Sequence, residues 1–425
     1  MGLWASVTIG IGGMIGAGIF SVLGTAGRVA GPAAGVSFAL AGLLALACAY
    51  SFGRLGARFP SAGGPVEFLT RGFGNGVLSG TLNLLLWAGY VLALALYARA
   101  FGNYGASLMP DAWGPVAIPG LAVLVTLAFL GLNIVGAEAV GRAEVVIVGV
   151  KVLILLGFVA AVAPFIETAR IAPTAWPPAS SIGAAAAIVF LSYEGFGLIT
   201  NAAEDMRNPR TTLPRAIYIS VAFTIVVYVS VAFAVLGALG ADEVARASEY
   251  VLARAAAPVL GATGFTVMAV AALFSTASAI NATLYGGANV SSCLAEKGGL
   301  PLFFKRQIWA GSPASLLVTS GLVALIAASV NVERIAMAGS AAFLIVYAGV
   351  NLAHLRLLHE TRASKPLVVS ALLGCIVVFA VLVHYLYSHE PIALVGVGAM
   401  GTLCLGVEWI WRRIRPEHGL HQRGH

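Results

Sequence analysis

Apolar residues occur along this chain in long runs separated by short polar connections. The runs lack the strict alternation of a transmembrane β-strand. Each is at least about as long as the roughly 20 residues with which a helix crosses about 30 Å of hydrocarbon. The pattern predicts twelve membrane-spanning helices, which we number span 1 to span 12: residues 4–26, 33–56, 76–101, 116–136, 143–164, 183–204, 214–238, 258–288, 312–330, 334–356, 366–387 and 391–412.

The composition agrees with this architecture. Of the 425 residues, 60% are hydrophobic and 10% are charged, which leaves too few charged side chains to cover a soluble protein of this length. We therefore expect an all-α polytopic membrane protein. We expect no cleaved signal peptide, because no basic segment precedes the first apolar run. The four cysteines lie in or beside apolar segments, which favours small buried side chains over disulfides.

The basic residues predict how the chain lies in the membrane. If the N-terminus is cytoplasmic, 17 lysines and arginines fall on the cytoplasmic side and five on the outer side, while Arg99 and Lys151 lie inside spans. This asymmetry places both termini in the cytoplasm of a multi-pass protein of the cell membrane. It also accounts for the net charge of +7 without a nucleic-acid partner.

Two polar segments stand outside the spans. The outer segment 241–256 opens with acids and alternates polar and apolar residues in helical fashion, which favours a short helix on the outer face over a disordered loop. The end of the chain, 413–425, is expected to be a flexible polar cytoplasmic tail. Its three histidines could bind a metal, but nothing there holds them in a fixed geometry.

Glycines interrupt span 1. Residues 9–20 read IGIGGMIGAGIF, and glycine is the poorest helix former apart from proline. Irregular backbone inside a membrane is tolerated only where it is buried in protein or lines a cavity. A break here would turn free N–H groups of the second half towards an anion and carbonyls of the first half towards a cation. Close helix packing through small residues explains the glycines equally well.

Span 6 carries a second interruption. Residues 190–201 read FLSYEGFGLITN, with Gly195 and Gly197 near its middle. Breaks in the first and sixth spans are typical of a transporter of two five-helix inverted repeats, whose substrate site lies between them. A carboxylate at the depth of Glu194 costs at least about 2–3 kcal/mol and needs a cation, a proton or water. The alternative is a structural role at the end of a broken helix.

Lys151 is the other charge expected inside the membrane. It lies about two turns from the cytoplasmic end of span 5. Its ammonium could extend to the membrane surface. If the side chain instead points into the bundle, burial disfavours its charged form, which would let it exchange a proton during transport.

Several motifs, in order, resemble those of the amino acid–polyamine–organocation (APC) permease superfamily. They are GIGGMIGAGIFSVLGTAGRVAGPA in span 1, RFPSAGGPVEF after span 2, GLNIVGAEAVGRAEVVIVGVK from span 4 to span 5, FLSYEGFGLITNAAEDMRNPRTTLPRAI from span 6, and STASAINATLYGGANVSSCLAEKGGLP in span 8. The resemblance implies a LeuT-like fold: a core of two inverted five-helix repeats over 1–356, two peripheral helices over 357–412, and broken helices 1 and 6.

The resemblance also implies a site. The substrate carboxylate would meet the backbone amides of Gly16, Ala17 and Gly18, and the amino group would meet carbonyls of Phe190, Leu191 and Ser192. The neighbouring residues of the predicted substrate site are Ile15, Tyr193, Glu194 and Gly195. Lys151 matches the lysine that fills the place of a sodium ion in proton-coupled members, while sodium-coupled relatives place oxygen ligands at the positions of Ser275, Thr276 and Ser278.

The leading hypothesis is a secondary transporter, a permease that moves an amino acid or small amine in symport with protons. The alternative is a transporter of an inorganic cation such as potassium, or of an organic cation without a carboxylate. The buried carboxylate expected at Glu194 could bind such a cation, so this alternative remains. We expect no enzyme, because the spans carry no paired carboxylates and no His-x-x-x-His ligand spacing. No cofactor or metal site is expected, and the partners are the small-molecule substrate, protons and the lipid bilayer.

Overall fold

The computed structural model describes residues 1–135, 138–247, 249–309 and 312–414. The polar tail expected over 413–425 lies outside the described residues from 415 onwards, and its first two residues belong to the last helix.

Helices form at all twelve predicted spans. Their bounds are Leu3–Met14, Ala17–Phe20 and Val22–Ala30 (span 1), Ala34–Arg58 (span 2), Val77–Ala106 (span 3), Gly114–Val135 (span 4), Glu138–Val162 (span 5), Ala179–Val189 and Phe196–Asn201 (span 6), Pro209–Ala238 (span 7), Val251–Glu296 (span 8), Ala314–Ser329 (span 9), Val332–Arg356 (span 10), Lys365–His389 (span 11) and Pro391–Ile414 (span 12). Span 9, with 16 residues, is about 24 Å long.

Short elements connect the spans. Three short α-helices cover Pro65–Phe73, Ala241–Arg246 and Leu358–Thr361. Single 3₁₀ turns cover Gly31–Ala33, Asp111–Trp113, Ala163–Phe165, Thr168–Ile171, Pro173–Ala175, Phe190–Tyr193, Ala203–Asp205 and Leu302–Lys305. The strands Gln307–Trp309 and Ser312–Pro313 pair antiparallel between spans 8 and 9.

The outer segment is helical in two pieces where the sequence predicted one helix over 241–256. The first piece is Ala241–Arg246, and the second begins at Val251. At Gly261 the backbone takes φ 65°, ψ −158°, a conformation that glycine adopts readily because it lacks a Cβ. This kink separates the first ten residues of the helix Val251–Glu296 from the rest of span 8.

Glycines line the most extensive helix–helix contact among the described residues. Span 2 packs along span 7 through a line of glycines, and a methyl group on any of them would meet a span 7 side chain. The pairs are Gly35 with Phe233, Gly42 with Ile225, Gly53 with Pro214, and Gly56 with Leu213. Small residues of this kind allow two backbones to approach closely inside a membrane.

Span 6 lies at the centre of the bundle. In its most apolar stretch 89% of the residues are buried, against 22% in spans 11 and 12. The side chains of span 6 therefore face protein on nearly every side, and those of spans 11 and 12 are largely exposed on the outside of the bundle.

Candidate functional site

The break in span 1 lies where the glycines predict it. The first half ends at Met14, Ile15 leaves the helical region with φ −76°, ψ 79°, and Gly16 takes φ −136°, ψ −137°. The helix resumes at Ala17. This two-residue break removes the α-helical partners of carbonyls at the end of the first half and of N–H groups at the start of the second half. One pair bonds across the break, since the Gly16 amide donates to the Met14 carbonyl at 2.8 Å.

Side chains of four different spans cover the carbonyls at the end of the first half. The four hydrogen bonds run from Lys151 of span 5 to Gly12 (2.9 Å), from Tyr97 of span 3 to Gly13 (3.3 Å), from Tyr228 of span 7 to Met14, and from Ser275 of span 8 to Ile15 (2.8 Å). Unsatisfied backbone groups are costly in a membrane, and these donors supply the missing partners. The break is thus fixed by the surrounding bundle.

Lys151 points into the bundle. The residue is 2% exposed, and its ammonium also lies 3.4 Å from the hydroxyl of Ser278 in span 8. The alternative in which the ammonium extends to the membrane surface is therefore wrong for this conformation. Lys151 joins span 5 to the end of the first half of span 1 and to span 8.

The three hydroxyl residues proposed for a cation site behave differently. Ser275 donates to Ile15 and Ser278 lies beside Lys151. Thr276 donates to the Ala272 carbonyl at 2.8 Å within its own helix. Ser275 and Ser278 therefore contact groups at the break, whereas the Thr276 hydroxyl donates within its own helix.

The interruption in span 6 is a change of winding. The α-helix ends at Val189, a 3₁₀ turn covers Phe190–Tyr193, and Glu194 and Gly195 keep a right-handed helical backbone before the helix resumes at Phe196. The amide of Glu194 donates to the Leu191 carbonyl at 3.1 Å. Span 6 therefore exposes fewer backbone groups than span 1.

The two breaks are in direct contact. A methyl group on Gly18 would lie 2.5 Å from the Cβ of Ser192, and one on Gly195 would overlap the backbone at Met14. The Tyr228 hydroxyl lies 3.2 Å from the Ser192 carbonyl and bridges both breaks. The sequence left open whether the glycines serve a break or close packing, and here they do both.

Glu194 lies in a buried polar cluster beside this contact. The residue is 1% exposed, and neither carboxylate oxygen has a hydrogen-bond partner among the described residues. A methyl group on Gly197 would lie 3.3 Å from Glu194 Oε1, 3.3 Å from the Tyr347 hydroxyl and 3.7 Å from the Tyr90 hydroxyl. Both hydroxyls also lack partners within the described chain. A buried carboxylate in this state favours a cationic group or a proton.

Sequence reasoning named Tyr193 but missed four other tyrosines of the site. Tyr90 and Tyr97 both lie on span 3, Tyr228 lies on span 7 and Tyr347 on span 10, and all are at most 2% exposed. One signal was available, since Tyr90 and Tyr97 are seven residues apart and so share a helix face after two turns. Single tyrosines in an apolar run otherwise resemble ordinary core residues.

An ion-pair cluster lies outside the membrane-spanning segments, where the short helix Pro65–Phe73 meets the end of span 8. Glu67 pairs with Lys297 and with Arg71. Burial acts to raise the pKa of Glu67, but the hydrogen bonds and charges of Lys297 and Arg71 lower it below its usual value. Glu67 is therefore ionised at neutral pH and ties the two segments together.

Known proteins resemble this chain over nearly its whole length. A family model described as amino acid permease matches residues 1–403. Uncharacterized protein MJ0609 of Methanocaldococcus jannaschii is 40% identical over 418 residues, which cover 97% of this chain and 95% of that protein. Inner membrane transport protein YbaT of Escherichia coli is 34% identical over 414 residues, covering 97% and 96%.

A solved structure shares the fold. The manganese transporter of Eremococcus coleocola superimposes with a TM-score of 0.60 at 13% identity and covers 97% of this chain and 94% of that one. At this identity the likeness concerns the fold alone. It confirms the LeuT-like architecture, with helices 1 and 6 broken, that the motifs of spans 1 and 6 indicated.

Proposed function

Because the chain belongs to the amino acid permease family and is a multi-pass membrane transporter, we propose that it moves an amino acid or a small amine across the membrane in symport with protons. The observation that carries the proposal is the buried carboxylate of Glu194, which has no hydrogen-bond partner among the described residues and lies beside the contact of the two broken spans. A cationic amino group satisfies that carboxylate and its tyrosine neighbours.

The substrate's carboxylate would bind the N–H groups at the start of the second half of span 1, at Gly16, Ala17 and Gly18. The positive end of a helix suits an anion, and glycine lets the anion approach the backbone. Ser192 packs against Gly18 in this conformation. Binding at these amides therefore requires the second half of span 1 and the 3₁₀ turn of span 6 to separate locally. The Gly16 amide must also give up its hydrogen bond to the Met14 carbonyl.

Lys151 is the proposed coupling residue. Protonated, its ammonium donates to Gly12 at the end of the first half of span 1. Deprotonated, it loses the charge that strengthens this bond, and spans 1 and 5 are freer to move apart. Proton release from Lys151 is thereby linked to rearrangement of span 1. The contact of Lys151 with Ser278 extends this link to span 8.

The remaining expectations complete the proposal. The transport core covers 1–356, the two peripheral helices cover 357–412, and both termini are cytoplasmic in the cell membrane. Its partners are the substrate, protons and the lipid bilayer.

A second candidate is transport of an inorganic cation or of an organic cation without a carboxylate. The Glu194 carboxylate and the hydroxyls of Tyr90 and Tyr347 present oxygen atoms only, the donor type that hard cations prefer. This candidate needs no substrate contact at Gly18, which Ser192 already covers.

Ligand binding to the purified full-length protein separates the two candidates. A ligand that binds the folded state raises its apparent stability, so melting temperatures are compared across amino acids, the corresponding amines without a carboxylate, and alkali and divalent cations. We expect a rise with amino acids. Stabilisation by inorganic cations alone, or by carboxylate-free amines alone, would favour the second candidate and contradict binding of the substrate through its carboxylate.

A further inference from the structure

A concave pocket opens at the face of the bundle that we expect to be cytoplasmic, and none of its lining residues belongs to the two broken spans. It lies between the end of span 2, the start of span 7 and the short helix Leu358–Thr361, and its volume is about 470 Å³. This volume falls within the range of small-molecule sites, roughly 300–1,000 Å³. The pocket is large enough for an organic phosphate.

Arginines dominate the wall of this pocket. Arg54 and Arg58 come from consecutive turns of span 2, and Arg210 and Arg215 come from the first two turns of span 7. Within the described part of the chain, none of these four guanidinium groups forms an ion pair, although Glu360 lines the same pocket. All four arginines are exposed, so solvent and salt weaken their mutual repulsion. A bound anion would relieve the repulsion that remains.

Two further features favour an anion here. Span 7 begins at Pro209, and Arg210 and Thr211 of its first turn line the pocket, so the positive end of this helix lies close to the arginines. The Tyr50 hydroxyl accepts a hydrogen bond from the Ser364 amide at 2.7 Å, which fixes the ring. The Arg54 guanidinium lies 5.6 Å from the centroid of this ring, so Tyr50 helps to hold Arg54 at the pocket where an anion would bind.

Basic residues on a cytoplasmic face are also the ordinary signal of membrane orientation. Arg207 and Arg306 are such residues. Like the four pocket arginines they are exposed, but they do not line this pocket. The four pocket arginines differ because they converge on a single cavity from two spans that pack tightly along a line of glycines. The orientation of the protein in the membrane requires basic residues on this face but does not require four of them to line one cavity.

We propose that this pocket binds a phosphate-bearing anion, either the headgroup of an anionic phospholipid or a soluble phosphate compound. Guanidinium groups bind phosphate through paired N–H donors, and four of them match a ligand with more than one negative charge. The bound anion joins span 2, span 7 and the link between spans 10 and 11. This site is separate from the proposed transport site and does not depend on the identity of the transported substrate.

The test compares the parent protein with the double variant Arg54→Gln/Arg215→Gln. The matched control is Arg207→Gln/Arg306→Gln, which removes the same charge from the same expected face outside the pocket. Thermal unfolding of the full-length protein in neutral detergent is followed against inorganic pyrophosphate at constant ionic strength. In a second arm the protein is placed in nanodiscs of phosphatidylcholine with or without phosphatidylglycerol.

We expect a saturable rise in melting temperature for the parent and the control, and an apparent affinity at least tenfold weaker for the pocket variant. A rise with pyrophosphate identifies a soluble phosphate as a ligand, and a rise with phosphatidylglycerol alone identifies a lipid headgroup. Equal loss in the pocket and control variants, or no rise in either arm, overturns the proposal. If the double variant does not fold, the exposed single variant Arg210→Gln serves in its place with the same expected direction.

Discussion

Replacing Gly18 by alanine places a methyl group where span 6 already packs. The new carbon would lie 2.5 Å from the Ser192 Cβ and 2.9 Å from its Cα, whereas non-bonded carbons prefer about 3.5–4.0 Å. The second half of span 1 and the 3₁₀ turn of span 6 must then separate by roughly 1 Å. Overpacking of this kind costs about 1–3 kcal/mol, which shifts an equilibrium between closed and open arrangements by about 5–150-fold.

The assay is the melting temperature of purified variants, arranged as a double-mutant cycle. Gly18→Ala should melt below the parent, and Ser192→Gly in the same chain should recover part of the loss, because it removes the nearer of the two clashing carbons. Gly157→Ala is the matched control, since nothing lies within 4 Å of its added carbon. A Gly18→Ala protein that melts like the parent would refute the contact between the two breaks, as would failure of Ser192→Gly to recover stability.

Three further perturbations address other parts of the site. Glu194→Gln should weaken binding of a cationic substrate tenfold or more, roughly 1.4 kcal/mol, while Glu296→Gln on the surface leaves the affinity unchanged. If titration calorimetry gives the same affinity for the parent and for Glu194→Gln, the role of Glu194 is structural. Tyr228→Phe removes the hydroxyl that bridges the breaks and should lower stability by about 1–3 kcal/mol, measured by thermal unfolding; an unaltered melting temperature would contradict the bridge. The ion pairs of Glu67 should contribute ~1 kcal/mol to the free energy of unfolding at neutral pH. Because the pKa of Glu67 is lowered in the folded state, this contribution disappears as the pH falls below the ordinary carboxyl value of 4.5. The stability difference between parent and Glu67→Gln should therefore narrow in that range, and a pH-independent difference would contradict the ion pairs.

The spans and the break in span 1 could be predicted because each depends on a local property of the sequence. An apolar run of membrane length marks a span, and a glycine cluster inside such a run marks either a break or a close contact. The sequence could not separate those two uses, because each requires only the absence of a side chain. The structure assigns the break to Ile15 and Gly16 and the closest contacts to Gly18 and Gly195.

Other parts of the site depend on which face of a helix meets which neighbour. Thr276 lies one residue from Ser275, yet it bonds within its own helix while Ser275 reaches span 1. Tyr228 lies in span 7, far in sequence from both breaks that it bridges. These pairings arise from packing across the bundle, which hydropathy and motif spacing do not encode.

The central claim, proton-coupled transport through Lys151, is tested most directly by uptake into proteoliposomes with imposed gradients. The ligand that stabilises the purified protein is supplied outside vesicles that carry an inward proton gradient, an inward sodium gradient or neither. The account predicts uptake that rises with the proton gradient, does not respond to sodium, and is lost in Lys151→Ala while ligand binding survives. Sodium-driven uptake, or a Lys151→Ala protein that still concentrates substrate on a proton gradient, would contradict it.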